Sequence, residues 1–470
     1  MTTLQDLEGL DCTASGDTLL ELAGQLRARL ASARDESGAL VRVQLKITPV
    51  APLEWLHAQK NVSHYYWASR DGEFEMAGIG EADVLVPESR VDLPGLFALM
   101  RHRLSLEWPH LRYYGGFRFR PDQNAAGRWR NFKAYRFIAP QVEVLRRGDK
   151  YWMACTLRKD TPEADKATLQ AIETLAASLL DVPTPPPCTL PPLIGRVDLP
   201  DREHWNSLID RALEAFAGRE MEKVVLARET EFQFDTEAPL DAVGMLRRLV
   251  RRASPCYAFC FHPKPDRAFL GASPERLFYR NNVYLQSEAL AGTSRRGKTP
   301  EEDDRLGNAL LDDDKELREH RFVVRMLRKD FTNFCVSTSC DTMPSLMKLR
   351  TVQHLYTYIE GILKQHDMDA ALIEAFHPTP AVGGSPRQKA LDWLAAHEPF
   401  DRGVYAAPVG WVGFDDAEFC VGIRSGLIEG NTLALYSGAG IVPGSSAASE
   451  WEEIENKMSN FLEALYDGPV

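Results

Sequence analysis

Glu275 follows a Ser-Pro turn in Gly271-Ala-Ser-Pro-Glu-Arg-Leu277, and Gly292-Thr293 makes a bend within Ser287-Glu-Ala-Leu-Ala-Gly-Thr-Ser-Arg-Arg-Gly297. An acid beside a bend whose backbone N–H groups can approach an anion is the minimum equipment for removing a hydroxyl from a carboxylated substrate. Burial would push the carboxyl toward neutrality and let it serve as general acid. Alone, a glutamate after a turn reads more simply as a surface residue. Lys223 opens the strand pattern Glu222-Lys-Val-Val-Leu-Ala-Arg228 and shares a face with Val225 and Ala227. A desolvated lysine gives up its proton readily and can act as general base. The plainer reading is a strand-end lysine whose tip snorkels to water.

Two helical patterns carry carboxylates three residues apart. Glu316 and Glu319 are followed by His320; Glu450 and Glu453 are followed by Lys457. That spacing puts each set on one helical face. One carboxylate from each helix, with a substrate carboxylate and waters, would suit Mg²⁺, which seldom takes an all-protein cage. The competing reading is two solvated faces with i,i+4 ion pairs. Phe419-Cys-Val-Gly-Ile-Arg-Ser-Gly426 reads as one strand with Cys420, Gly422 and Arg424 on the same side, a small-residue surface from which a guanidinium could hold a carboxylate. Gly438 and Gly440, in Tyr436-Ser-Gly-Ala-Gly-Ile-Val442, let a backbone pass close to something. His377-Pro-Thr-Pro-Ala-Val-Gly-Gly-Ser-Pro-Arg387 reads as a rigid extended segment, with Ser385 as N-cap and Pro386 opening a helix.

The elements that must position these groups alternate irregularly. Helix patterns lie at Leu19–Leu30, Glu163–Leu180, Asp201 to about Gly218, Asp303–Phe331, Gln388–Glu398 and Ala448–Tyr466. Strand patterns lie at Val41–Ile47, His64–Trp67, Phe74–Gly78 and Tyr135–Ile138, with a hairpin from Gln141–Leu145 to Tyr151–Thr156. The Pro-rich stretch Pro183–Pro192 is the strongest linker signal and separates residues 1–195 from 196–470. Without regular βαβ alternation, the expectation is an α/β (α+β-like) fold of layered, mainly antiparallel sheets flanked by helices.

Bulk properties narrow the function. The chain has 470 residues, 44% hydrophobic and 26% charged, as in an ordinary globular protein. A net charge of −12 argues against a nucleic-acid groove or a polybasic membrane patch. The eight cysteines form no C-x-x-C pair and read as free thiols of a reducing cytosol. Neither a signal peptide nor a membrane-spanning apolar run is evident, which points to the cytoplasm.

The ordered set KVVLAR, GASPERL, SEALAGT, REH, VQHL, HPTPAVGG, EPFDRGVYA, GWVG, IRSG, SGAGIV and EWEEIENK, from Glu222 to Lys457, resembles the chorismate-utilising enzymes, and within them the isochorismate synthases. Leu53-Glu-Trp-Leu-His-Ala-Gln59, Tyr65-Tyr-Trp67 and Arg70-Asp-Gly-Glu73 resemble the menaquinone-pathway members. The resemblance implies one large domain, so the Pro-rich stretch becomes a surface connection. It implies Mg²⁺-dependent addition of water at C2 of chorismate with loss of the C4 hydroxyl. Lys223 would be the base and Glu275 the acid. Glu319 and Glu453, with Glu450 nearby, would hold Mg²⁺. Tyr405, Arg424, Gly438 and Lys457 would meet substrate carboxylates, Gly292 and Thr293 would line the ring, and His354 would sit at the pocket edge. Many relatives have Lys-Asp where this chain has Lys315-Glu316, which opens the role of Glu316 to question.

Ammonia-using relatives carry a glutamine-like residue in place of Lys223, or a nucleophilic lysine in place of Ala291; the resemblance therefore implies no amidotransferase subunit, and a monomer or homodimer. The nearest alternative is a salicylate synthase, which adds pyruvate elimination. A non-catalytic chorismate-binding protein is the alternative from another class, and it would not need both an acid and a base.

Overall fold

Strands with one apolar face must bury it, and here both faces of one sheet are buried by different partners. The computed structural model describes residues 40–158 and 188–466, apart from 61, 88–90, 107, 123–126, 253–254 and 351. The helix patterns at Leu19–Leu30 and Glu163–Leu180, Cys12 and residues 183–187 of the Pro-rich stretch lie outside the described residues. A twelve-stranded antiparallel sheet runs, in spatial order, Leu40–Ile47, Lys150–Arg158, Val142–Arg147, Phe74–Ile79, His64–Ala68, Tyr257–Lys264, Arg267–Ser273, Ser425–Glu429, Thr432–Ile441, Lys223–Phe234 and Gly384–Ser385, with Leu193–Leu199 also on Lys223–Phe234. A ten-stranded sheet runs Cys335–Cys340, Val352–Leu363, Tyr284–Arg295, Arg276–Asn281, Asp416–Val421, Pro408–Val412, Tyr113–Phe117, Tyr135–Ala139 and Asp83–Leu85, with Ser345–Lys348 on Val352–Leu363.

Period-two alternation decides which side chain goes where. Tyr65, Phe259, Phe261 and Phe269 of the larger sheet join a core with Phe117, Phe137, Phe278 and Phe419 of the smaller one. Their neighbours Tyr66, Ala258, Cys260 and Leu270 point the other way, onto Trp55, Met245, Leu246 and Leu465. Each fully buried aromatic or aliphatic side chain stabilises by roughly 1.5–3 kcal/mol. The seven described cysteines are free thiols. Among the described residues, no helix is long and apolar enough to cross a membrane.

Both sheets mix the two halves of the chain. Tyr65 pairs with Phe261 in the larger sheet, and Gly115 with Gly410 in the smaller. The chain steps between sheets at Ser273-Pro274-Glu275-Arg276 and again at Val421 to Ser425. These two steps lie side by side: Val421 N–H donates to Glu275 O (3.0 Å) and Ala272 N–H to Arg424 O (3.0 Å).

Three local expectations are corrected. The helix expected over Asp303–Phe331 is two, Pro300–Leu311 and Asp314–Phe334, because Asp313 caps the second by accepting from Lys315 N–H (2.8 Å) and Glu316 N–H (3.0 Å). Phe419–Gly426 is no continuous strand, since Arg424 adopts φ +51° and sends the chain into the other sheet. The segment from His377 is a turn, with Val382 and Gly383 N–H donating to Thr379 O, and Ser385 caps nothing because it pairs with Lys223 in the sheet. Helix Arg387–His397 begins after Pro386 instead. Helices Arg202–Ala217 and Ala447–Tyr466 match their patterns within a residue or two.

Candidate active site

Lys223 heads its strand at 1% exposure, and several contacts fix it there. Glu222 N–H donates to Ser385 O (2.8 Å) and Val225 N–H to Gly383 O (3.0 Å), so the glycine turn edges the strand. Arg402 braces the same place from behind, donating to Val382 O (2.8 Å) and Val225 O (2.6 Å) while pairing with Glu398. Glu398 in turn accepts Ala227 N–H at 3.1 Å. The Lys223 amine meets Glu319 of helix Asp314–Phe334 at 2.7 Å. Burial alone would raise the Glu319 carboxyl, but Lys223, then Lys457 and Lys315, hold it below its ordinary value. Gly440 gives this pair its room: a Cβ there would stand 3.2 Å from both Glu319 Oε1 and Lys223 Cε.

Glu275 sits at the sheet crossover and is buried. Burial, with the charge of Glu288 added, pushes its carboxyl from 4.5 up to about 8 against the opposing pull of Lys223. It is therefore a neutral acid at pH 7. Tyr405, whose phenol burial pushes up to about 12, senses both Glu275 and Arg424 and stacks on Tyr436 at 5.5 Å. Gly438 leaves space for that hydroxyl, since a Cβ would lie 3.1 Å from Tyr405 Oη. Arg424 is half-buried, and its guanidinium has no hydrogen-bond or ion-pair partner among the described residues. Burial lowers its proton affinity, offset by Cys256, Tyr405 and Glu453. A guanidinium in that position is short of one anion.

Gly292, at φ +82°, bends strand Tyr284–Arg295 and shifts its register against Val352–Leu363. The N–H of Thr293 was expected to be open to an anion, but Glu316 Oε2 already accepts it at 3.0 Å. This gives Glu316 a definite place, holding the bend from the first turn of its helix. Thr293 Oγ1 meets His354 Nδ1 at 2.9 Å, and His354 Nε2 is buried with no partner among the described residues. Burial, then Arg424 and Lys457, push His354 down to about 3, so its ring is neutral. His320, beside Glu319, faces away and bridges Ala291 O (3.2 Å) and Thr357 Oγ1 (2.7 Å).

Helix Ala447–Tyr466 supplies the remaining groups. Lys457 Nζ donates to Gly438 O (2.8 Å) and to Glu453 (2.6 Å), the i,i+4 pair that its spacing allows. Glu450 is buried and its carboxyl is raised, by burial first and also by Glu453 and Glu319. Among the described residues, no three His, Cys, Asp or Glu side chains form a ready cage for a metal. The donor set nevertheless fits a hard divalent cation: three carboxylates repel one another here, and Lys223 and Lys457 each neutralise one.

The structure thus brings the expected residues together: Lys223 meets Glu319, Lys457 meets Gly438 and Glu453, and Thr293 beside Gly292 meets His354. Glu275, Tyr405, Arg424 and Glu450 lie within electrostatic reach of these groups. Missed were Arg70, Glu288, Arg402 and Glu398. Arg70 stands in the quoted Arg70-Asp-Gly-Glu73, but its pairing with Glu288 spans 218 positions and leaves no local signal.

A family profile described as chorismate binding enzyme matches residues 25–466. Isochorismate synthase 2, chloroplastic, of Arabidopsis thaliana is 34% identical over 91% of this chain and 81% of its own length. Isochorismate synthase MenF of Escherichia coli (strain K12) is 34% identical over 88% of this chain and 90% of its own. The solved structure of the Escherichia coli menaquinone-specific isochorismate synthase MenF covers 96% of this chain and 100% of its own, with a TM-score of 0.82 at 30% identity. The chain, with its two antiparallel sheets, belongs to the chorismate-binding enzymes, in their isochorismate synthase branch.

Proposed function

We propose that this isochorismate synthase, an isomerase, uses Lys223 and Glu275 as the proton-handling pair and Mg²⁺ as its metal, in the cytoplasm and without an amidotransferase subunit, as a monomer or homodimer. The observation that carries the reading is the pairing of a buried Lys223 with a Glu275 that keeps its proton to about pH 8 at the same seam. Lys223, once its ammonium has released a proton to solvent, takes a proton from water as the water oxygen bonds to C2 of chorismate, and the ammonium formed again has Glu319 to pair with. The ring double bond shifts, the C4–O bond breaks, and Glu275 protonates the departing hydroxyl as water. Exchange of the two roles runs the reaction backward.

Chorismate is a dianion. Arg424, whose guanidinium has no partner among the described residues, and Lys457 offset its carboxylates; Tyr405, His354 Nε2 and the backbone at Gly438 offer further polar contacts. Gly292 and Thr293, fixed by Glu316, line the ring. Glu319 and Glu453, with Glu450, would hold Mg²⁺, which when bound supplies positive charge toward a substrate carboxylate. Formation of menaquinone is the pathway we favour, on the N-terminal motifs and the MenF relatives.

The test is product identification by chromatography with chorismate and Mg²⁺. Isochorismate should form and the same mixture be reached from either side. Salicylate with equal pyruvate would make the chain a salicylate synthase, and no turnover would leave a binding protein. Lys223→Ala should abolish hydration yet still bind chorismate; near-native turnover would move the base elsewhere.

A further inference from the structure

Arg70 approaches Glu275 from the far end of the sequence. It lies in the tight loop between strands His64–Ala68 and Phe74–Ile79, where Ser69 N–H donates to Phe74 O (2.8 Å) and Gly72 takes φ +73°. Asp71 locks that loop by accepting from Ser69 Oγ (2.6 Å) and Glu73 N–H (3.0 Å). From this fixed base the guanidinium donates to Pro274 O (2.6 Å) and forks onto both oxygens of Glu288 (2.5 and 2.7 Å). Glu288 also accepts Arg276 N–H at 2.9 Å. The residue before Glu275 and the residue after it are therefore both tied to one buried ion pair. The pair is well shielded, with side chains 13% and 0% exposed.

Tyr356 also hydrogen-bonds Glu288, and the charge of Arg276 lies close to the pair. Arg276 spends its side chain on Tyr257 Oη (2.7 Å) and Glu418 (3.2 Å), so Glu288 relies on Arg70 for its fork. A lysine could supply the charge at position 70 but not two parallel N–H bonds plus a third to a carbonyl. We propose that Arg70 and Glu288 are positioning residues that hold the Pro274–Arg276 crossover so that Glu275 faces the reacting hydroxyl. This rests on the reading of Glu275 as the acid. The groups that face Glu275 are Glu288 from strand Tyr284–Arg295, Lys223 from its own strand, Tyr405, and Cys420 from strand Asp416–Val421. Of these Glu288 is the carboxylate that an arginine, Arg70, holds in a buried ion pair.

Steady-state kinetics across pH test this on the full chain, with Glu275→Gln as reference. Arg70→Met should lower kcat at least about tenfold with the KM for chorismate within about twofold, and Arg70→Lys should recover part of the loss. Glu288→Gln keeps the shape but removes the charge, so the basic limb of kcat should move to lower pH by about half a unit or more. Arg70→Lys and Glu288→Gln carry the test if Arg70→Met does not fold. Wild-type kcat and an unmoved basic limb in both, beside an inactive Glu275→Gln, would overturn the positioning role and leave the acid assignment standing. A loss confined to KM would overturn it equally. Near-native turnover in Glu275→Gln would remove the acid assignment and this proposal together.

Discussion

At the scale of single residues, the site depends on a carboxyl kept neutral at a cost. The folded Glu275 holds its proton to about pH 8, whereas an unfolded glutamate releases it near 4.5. The native state therefore binds more protons between those values, and stability falls as pH rises through that window. Glu275→Gln should remove this penalty. Its melting temperature should exceed wild type by a few degrees at pH 8, with the gain vanishing toward pH 4.5, while kcat drops by at least about a hundredfold. Equal melting curves at pH 8 would refute the buried-acid account. Glu319 and Glu453 on the two helices differ from Glu275 in that each has a lysine to hold it in the absence of metal. Glu319→Gln and Glu453→Gln should each weaken Mg²⁺ binding by about tenfold or more in a calorimetric titration, with the fold unchanged by circular dichroism. Full activity of wild type in excess EDTA would dismiss the metal. Lys223 and Glu275 could be singled out as candidates because their types and flanking patterns are local. Each alone reads more simply as a surface or strand-end residue, and their roles come with the family resemblance. Arg70 and Glu288 could not be singled out, since nothing in a sequence window states which distant charge an arginine will meet.

At the scale of elements, the site sits where regular structure fails. Strands supply rigidity, but Glu275 and Arg424 are delivered by two of the chain's steps between sheets, and Gly292 by a register shift. The strand pattern through Phe419–Gly426 could not reveal its own break, because Arg424 reaches φ +51° under tertiary constraint rather than from any turn residue. The turn from His377 was misread for a similar reason: Ser385 has a capping side chain, yet its backbone satisfies Lys223's strand first. Gly440 offers a clean test of element spacing. A methyl there would press on Glu319 Oε1 and Lys223 Cε at 3.2 Å, the far ends of flexible side chains that can yield. Gly440→Ala should therefore leave the melting temperature within about two degrees of wild type. It should still lower kcat/KM roughly tenfold or more, since small displacements of reacting groups are felt strongly in rate. Unchanged kinetics would mean that the pair has slack.

At the scale of the whole molecule, a Pro-rich stretch is a good linker signal only if few contacts cross it. Here five strands that precede it form one end of the larger sheet, and three more form one end of the smaller. Composition and periodicity were enough to suggest layered antiparallel sheets. The pairing of Tyr113–Phe117 with Pro408–Val412 was beyond them, because it joins segments nearly three hundred positions apart. Removing either half would uncover strand edges and one side of the aromatic layer that Phe117 and Phe137 share with Phe278 and Phe419. We therefore expect residues 1–195 and 196–470 to behave as one cooperative unit. Differential scanning calorimetry should show a single transition, with calorimetric and van't Hoff enthalpies in agreement. Single substitutions in either half should shift that same transition: Phe117→Ala before the Pro-rich stretch and Phe419→Ala after it should each lower it, by about 3–5 kcal/mol of stability. Two resolved transitions, one moved by each variant, would instead establish the stretch as a boundary between independently folding halves.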